Sequence, residues 1–372
     1  MKHNKPLKLV HLTTSLKIGG AETLLVDLVD QLRNYNFEQK VISFYEGPHA
    51  ERIRQLGVEV YHVKGLFCRY DPLFFLRLFI ILARLKPDCL HSLLWSANFI
   101  GRLIAHLLGI PIVCALHNNN DQNGKFRTCL DRLTVSSSDR FVAVSEEVKN
   151  SALRYIPSIR SSSVKIITNG IDALGCRDKA VQLKISRPAL KLSSHHFVVG
   201  SVGRLVSLKN YSLLIDQLTS VVEHYSHVRF VLVGTGPEEE ILREKIRQNN
   251  LNNNVIMIIN QPALPYYLLF DCFILPSYKE GISMALLEAM SIGLPCIVGN
   301  HSPEHSVIKS GRNGLVVTPD GSFAEALISV IREEKLRLLL SKGAKETVEG
   351  RFSFNNMVKA YASVFSGLSN RI

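Results

Sequence analysis

Short runs of nearly continuous apolar residues recur along the chain, separated by longer stretches whose apolar positions fall at helical spacing. In the first half, the short runs predict strands near Lys8–Leu12, Lys40–Ser43, Val58–Val63, Cys89–Leu90, Ile112–Ala115, Arg140–Val144 and Val164–Ile167. The stretches between them predict helices at Ala21–Leu32, His49–Leu56, Pro72–Lys86, Ala97–Leu108, Lys125–Ser136 and Glu146–Tyr155. Runs such as VHLT, VISF, IVCAL and FVAV are nearly continuous hydrophobics, as expected of parallel strands covered on both faces. Strand and helix in alternation is the pattern of stacked βαβ units.

The pattern fades between Asn169 and His196, a stretch of mixed charge with Gly, Ser and Pro188, and this segment reads as a linker. It resumes with strands at Phe197–Val202, Phe230–Val233, Val255–Ile258, Cys272–Leu275, Cys296–Val298 and Gly314–Val317, and the tail Ser353–Phe365 reads as a final helix. The expectation is two doubly wound α/β domains with a cleft between them. Ligands of such sheets bind outside the carboxyl ends of the strands, so chemistry is sought in the turns that follow strands.

Length agrees with this division, since 372 residues at about 150 per domain give roughly two domains. With 46% hydrophobic and 20% charged residues, the chain can bury a large interior and is not disordered. Seven scattered cysteines with no C-x-x-C pair imply neither a disulfide framework nor a zinc site, and point to a reducing cytosol. No secretory signal is read at Met1–Val10, and the apolar stretch Leu73–Leu85 is interrupted by Arg77 and Arg84 and too short for a membrane span. The net charge of +12 is uneven: residues 1–185 carry 25 Lys/Arg against 16 Asp/Glu, and the rest 19 against 16. A basic first half suggests an anionic partner for it.

Four constellations lie in post-strand turns. Gly19-Gly20-Ala21-Glu22 follows the first strand; its glycines would let a ligand approach the backbone, or simply make a tight turn. Gly203-Arg204-Leu205-Val206-Ser207-Leu208-Lys209-Asn210 places two cations five residues apart, fit either to clamp a diphosphate or to sit as ordinary surface charges. Gly234-Thr235-Gly236-Pro237 suits close passage of a nucleotide, although the acidic turn after it is equally explained by the helix dipole. Glu280-Gly281-Ile282-Ser283 leads into a helix carrying Glu288 beside an apolar Leu/Met face. There a carboxylate needs hydrogen-bond donors, from a ribose diol or from a neighbouring Arg or backbone group.

Taken together and in this order, these motifs resemble the family 4, group 1 type of retaining glycosyltransferase with the GT-B fold. The resemblance spans essentially the whole chain and also takes in Asn169-Gly170-Ile171-Asp172, Gly293-x-Pro295, Glu304 and Gly311-Arg312-Asn313-Gly314. The pairing of GR-x4-K with E-x7-E is its specific part. It implies an acceptor domain over residues 1–185, with a C-terminal helix at about 353–372 packing back on it, and a nucleotide-sugar donor domain over 186–352. It further implies that Arg204 and Lys209 bind the donor diphosphate and that Glu288 holds the ribose hydroxyls. Glu280 would sit near the transferred sugar, and Gly281, Ile282 and Ser283 would touch sugar or phosphate, with Gly234 and Gly236 beside the nucleotide. Gly19 and Gly20 would let the first domain approach the phosphates, and His117 would face sugar and acceptor; by itself a lone His is more often an ordinary loop residue. Ile282 stands where the family often has Phe, and 173–192 matches no consensus.

The implied reaction is hexosyl transfer from a nucleotide-diphosphate sugar to a glycan or a polyprenyl or other lipid-linked acceptor, in bacterial cell-surface polysaccharide or glycolipid synthesis. No cofactor or metal is expected: the sequence has no D-x-D, and Arg and Lys stand where a metal would neutralise the diphosphate. The expected location is the cytoplasm, with an anionic membrane surface as a possible partner of the helix beginning at Pro72; the competing account of that helix is packing on the sheet with snorkelled cations. Nucleic acid is not expected, because no basic patch interleaves with stacking aromatics. The alternatives are a nucleotide-sugar 2-epimerase on the same fold and a non-catalytic sugar-nucleotide-binding protein.

Overall fold

A computed structural model describes residues 5–63, 72–117, 124–136, 139–278, 282–300, 307–318 and 321–369. Two compact units form, one from residues 1–169 with 355–372 and the other from 170–354. The first holds β1 (Leu7–Ser15), α1 (Gly20–Leu32), β2 (Phe37–Tyr45), α2 (Pro48–Gln55), β3 (Glu59–His62), α3 (Pro72–Leu85), β4 (Cys89–Leu93), α4 (Trp95–Leu108), β5 (Ile112–Leu116), α5 (Gly124–Thr134), β6 (Arg140–Ala143), α6 (Glu146–Tyr155) and β7 (Val164–Ile166). Its strands make one sheet in the order β3-β2-β1-β4-β5-β6-β7, every pair parallel. The order reverses between β1 and β4, which makes the carboxyl ends of these two strands the switch point of the sheet. Alternate residues bury on opposite faces. Val10, Leu12, Ile42, Phe44 and Leu90 pack with Phe74, Leu78 and Leu82 of α3, Ile104 of α4 and Ala152 of α6, while Val41 packs with Leu25, Val29 and Ile53 of α1 and α2.

The second unit holds α7 (Ala173–Leu183), β8 (Phe197–Val202), α8 (Tyr211–His224), β9 (Val228–Gly234), α9 (Glu239–Gln248), β10 (Val255–Ile259), β11 (Cys272–Leu275), α10 (Met284–Ile292), β12 (Cys296–Gly299), β13 (Leu315–Val317), α11 (Phe323–Arg332) and α12 (Glu334–Arg351). Its parallel sheet runs β10-β9-β8-β11-β12-β13, so the switch point lies between β8 and β11. The stretch read from sequence as a linker holds helix α7. Asp172 caps α7 by accepting from the Gly175 amide at 3.0 Å, Ala173 and Cys176 enter the core of the second unit, and Arg177 donates to the Ser291 carbonyl and to Glu349 at 2.7 Å. These contacts are why the second unit starts at Gly170 rather than near residue 186. The chain returns to the same place: Ile171 donates to the Phe352 carbonyl at 2.8 Å, and a Cβ on Gly170 would lie 2.8 Å from the Phe354 backbone.

The last helix, α13 (Phe354–Ser369), covers part of the first sheet. Tyr361 and Phe365 are buried, and the Phe365 ring lies 6.3 Å from His11 and 5.1 Å from His91. His11 and His91 are register partners on β1 and β4, fully buried, with their Nδ1 atoms 2.9 Å apart. His11 Nε2 donates to the Gln39 side-chain oxygen at 3.2 Å, and Gln39 is oriented by donating to the Val29 carbonyl. That fixes a neutral tautomer: His11 carries its proton on Nε2 and accepts at Nδ1 from His91. Burial pushes His11 down from the ordinary value of 6.5 to about 4 and lowers His91 in the same direction.

A depressed histidine contributes stability that is present above its unfolded pKa and lost as pH falls toward the folded one. Stability is therefore expected to fall by about 3 kcal/mol between pH 7 and pH 4 for one such ring. Chemical denaturation across this range checks it, and an unchanged transition at pH 7 and pH 4.5 would show that the rings are solvated. Among the described residues no helix is long and apolar enough to cross a membrane.

Candidate active site

Three loops leave the carboxyl ends of adjacent strands in the second unit. The loop after β8 runs from Gly203 to Asn210, that after β9 follows Gly234, and that after β11 leads through Tyr278 and Ser283 into α10. Backbone bonds fasten the first two together: Gly203 donates to Val233, Leu205 to Thr235 and Glu238 to Leu205, at 2.9–3.1 Å. A Cβ at Gly234 would lie 1.9 Å from the Gly203 carbonyl, and one at Gly236 would lie 2.3 Å from that of Leu205. The approach of one loop to the other thus requires both glycines. The third loop is tied in where Tyr278 donates to the Leu208 carbonyl at 2.9 Å.

The two cations of this first loop differ in setting. Arg204 is exposed, whereas Lys209 is only 6% exposed. Lys209 ends a single 3-10 turn, and its amine comes so near Gly203 that a Cβ there would lie 3.2 Å from Nζ. The missing side chain at Gly203 leaves room for that ammonium. A buried ammonium and a solvent-facing guanidinium, on one loop pinned at both sides, present two donors of different reach to an anion.

Ile282 and Ser283 are buried and precede α10, with Ser283 at its N-cap. Glu288 lies one helical turn further in, on a helix whose Leu286, Leu287, Ala289 and Met290 are buried. Sequence reasoning supplied an Arg or backbone partner as the bland account of this carboxylate; the structure supplies Tyr267. Tyr267 is fully buried and its Oη donates to Glu288 Oε2 at 2.7 Å, lying 3.2 Å from the Ala285 carbonyl. Burial, then the charge of Glu288, hold the phenol well above its ordinary range, so it remains a donor and orients the carboxylate. Its segment, Leu264–Leu269, is a 3-10 turn rather than a strand or an α-helix, so no hydrophobic period marked Tyr267. Glu280 and Gly281 lie outside the described residues.

In the first unit, Gly19 is the extended N-cap of α1 and Gly20 its first residue. A Cβ on Gly19 would lie 2.4 Å from the Glu22 carboxylate, the movable end of a side chain, so local packing does not compel a glycine there. The turn is held instead by Gly47 and His49 of the next loop: His49 donates its amide to the Leu16 carbonyl at 3.2 Å, and a Cβ on Gly47 would overlap that carbonyl. His117 ends β5. The residue is half-buried, its Nε2 is buried without a hydrogen-bond partner among the described residues, and burial lowers it to about 4. A neutral imidazole results. Asn118–Asn120 lie outside the described residues.

Two parallel-sheet domains of this topology make the GT-B architecture, and comparison with known proteins agrees. The model for Glycosyltransferase Family 4 matches residues 18–173 and that for Glycosyl transferases group 1 matches residues 184–347, so the chain belongs to the glycosyltransferases that join these two domains. It is 25% identical to the Escherichia coli UDP-Gal:alpha-D-GlcNAc-diphosphoundecaprenol alpha-1,3-galactosyltransferase, over 96% of this chain and 95% of that one. It is 24% identical to the Staphylococcus aureus capsular polysaccharide biosynthesis glycosyltransferase CapM, over 94% of each. Among solved structures, Anabaena HepE in complex with UDP and glucose matches with a TM-score of 0.85 at 20% identity, over 97% of this chain and 100% of that one. The sucrose-phosphate synthase of Thermosynechococcus elongatus matches with 0.83 at 16% identity, over 98% and 100%. At these identities the structures establish the fold.

Proposed function

We propose that the protein is a retaining, metal-independent glycosyltransferase that moves a hexosyl group from a nucleotide-diphosphate sugar to a lipid-linked glycan acceptor in bacterial cell-surface polysaccharide or glycolipid synthesis. The observation that carries this reading is the convergence of Arg204, Lys209 and the Tyr267-oriented Glu288 on loops and a helix that follow adjacent strands at the switch point of the second sheet. Breaking the bond between the anomeric carbon and the diphosphate oxygen builds positive charge on the sugar and negative charge on the leaving group. Lys209 and Arg204 stabilise that negative charge without a divalent cation, because their donors are already in place when it develops. Glu288 accepts from the ribose hydroxyls. The acceptor hydroxyl attacks from the face the diphosphate leaves, forming the new C–O bond while its proton passes to the departing phosphate oxygen, so configuration is retained with no enzyme nucleophile.

Support for the donor and acceptor classes comes from the relatives: the galactosyltransferase named above uses UDP-Gal and a diphosphoundecaprenol acceptor, and HepE holds UDP. The test is a thermal-shift and slow-hydrolysis screen against UDP-, GDP- and ADP-sugars, run with EDTA. A UDP-sugar is expected to give the largest shift, with release of free sugar and UDP. Silence toward all three classes would overturn the reading, and conversion of the sugar to its 2-epimer would favour the isomerase instead.

A further inference from the structure

Helix α12 and the loop that leads into β13 form a surface recess of about 350 Å³ in the second unit. Lys309 and Arg312 line it from the loop, Lys342 and Arg351 line it from the helix, and Leu339 is an apolar part of its wall. Glu346 is the one acidic lining residue, and its contact with Lys342 is loose, 3.9 Å between two exposed side chains. Arg177, Arg187, Arg243, Lys245 and Arg247 of the same unit each hold a carboxylate. Lys309, Arg312 and Arg351 hold none among the described residues; Arg351 only lies over the Phe352 ring, 5.3 Å from its centre. The two walls are locked together by buried Asn313. Its amide donates to the Thr347 hydroxyl of α12 at 2.8 Å and to the Val307 carbonyl at 3.0 Å, and its oxygen accepts from the Lys309 amide at 2.6 Å. The loop lies so close to the helix that a Cβ on Gly343 would be 2.1 Å from the Arg312 carbonyl. Four cations less one carboxylate leave the lining with a charge of +3 on a fixed frame. The recess lies at the amino end of β13, and the sheet is parallel, so it is at the edge opposite the carboxyl-end loops that carry Arg204 and Lys209.

We propose that this recess is an anion site separate from the donor loops, and that it binds a compact small molecule carrying two or more phosphoryl groups. The two guanidiniums offer paired N–H donors that match phosphate oxygens, and the two ammoniums add point charge. A single phosphate would leave much of the +3 uncompensated, whereas a diphosphate reaches cations on both walls. The volume is at the small end for ligand sites, and no lining side chain is aromatic, so nothing stacks a base; a compact anion suits it better than a whole nucleotide. Occupancy ties the loop to α12, whose Ala344 and Val348 share a core with Leu286 and Met290 of α10, and therefore stabilises the second unit. The site does not rest on the chemistry proposed for the donor loops, and its test reads binding rather than turnover.

Isothermal titration of the full chain with sodium pyrophosphate in EDTA checks the proposal, using Lys209→Ala so that the donor loop does not contribute. That variant, its folding confirmed by melting temperature, is expected to bind pyrophosphate at least about tenfold more tightly than inorganic phosphate, and to melt at a higher temperature when pyrophosphate is present. Adding Arg312→Gln/Arg351→Gln is expected to weaken pyrophosphate binding at least about tenfold. Should that combination fail to fold, Lys309→Gln/Lys342→Gln changes only exposed ammoniums and is expected to show the same loss. Absence of pyrophosphate binding to Lys209→Ala, equal affinity for phosphate and pyrophosphate, or affinity unchanged in the folded glutamine variants would each overturn the proposal. So would a hexaglutamate peptide that binds more tightly than pyrophosphate and loses that affinity in the glutamine variants, because the recess would then belong to an acidic protein partner.

Discussion

Lys209→Ala is expected to lower turnover of the nucleotide-sugar donor more than about 100-fold, roughly 2.7 kcal/mol of transition-state stabilisation. The size follows from its setting. The ammonium is 6% exposed and lies against Gly203, on a loop whose backbone is bonded to the β9 loop, so its position is prepaid and little water screens it. Lys209→Arg is expected to recover only a small part, because a guanidinium does not fit the space that Gly203 leaves. Glu288→Ala is expected to cost a comparable factor in kcat/KM by removing the acceptor that Tyr267 orients. Steady-state kinetics with the donor found in the screen decide this, and wild-type values in both alanine variants would remove these residues from the site.

Asp131→Ala is expected to destabilise the first unit by about 3–5 kcal/mol. Arg102 is 2% exposed and Asp131 3% exposed, and they form a hydrogen-bonded ion pair that joins α4 to α5. Thr134 accepts from Arg102 at 3.0 Å, and the Trp95 indole donates to Asp131 at 2.9 Å. Removing the carboxylate strands a buried guanidinium, whereas Arg102→Met/Asp131→Leu replaces both charges together and is expected to cost far less. Trp95 is the sole tryptophan and donates into this network, so its fluorescence in urea reports both variants directly. A loss below about 1 kcal/mol for Asp131→Ala would show that water reaches Arg102.

Much of the fold was legible because strands buried on two faces must be apolar throughout. The runs at Lys8–Leu12, Phe197–Val202 and Cys272–Leu275 are strands β1, β8 and β11 in the structure. Two readings failed for identifiable reasons. Helix α7 buries Ala173, Cys176 and Ala180, residues too small to raise an amphipathic signal, and so it passed as linker. Strand β4 extends to Leu93, beyond the expected Leu90, because His91 and Ser92 sit in its core; polar letters concealed buried positions whose hydrogen bonds come from other segments. At the site, the charged residues of the β8 loop and α10 could be named from their order alone. Tyr267, by contrast, lies 21 residues from Glu288 in a turn without period.

The sequence by itself determined the alternation of strands and helices, the division into two units, and which turns carry cations and carboxylates. Local spacing and the need to bury apolar runs are sufficient for these, since both act over a few residues at a time. Only the tertiary structure decided the surroundings of each residue. Gly234 and Gly236 are glycines because another loop passes over them, Lys209 is buried and Arg204 exposed on the same loop, and α3 keeps an apolar stripe facing outward. Those distinctions depend on distances between segments far apart in the chain, and burial, charge and clearance exist only once such segments have been brought together.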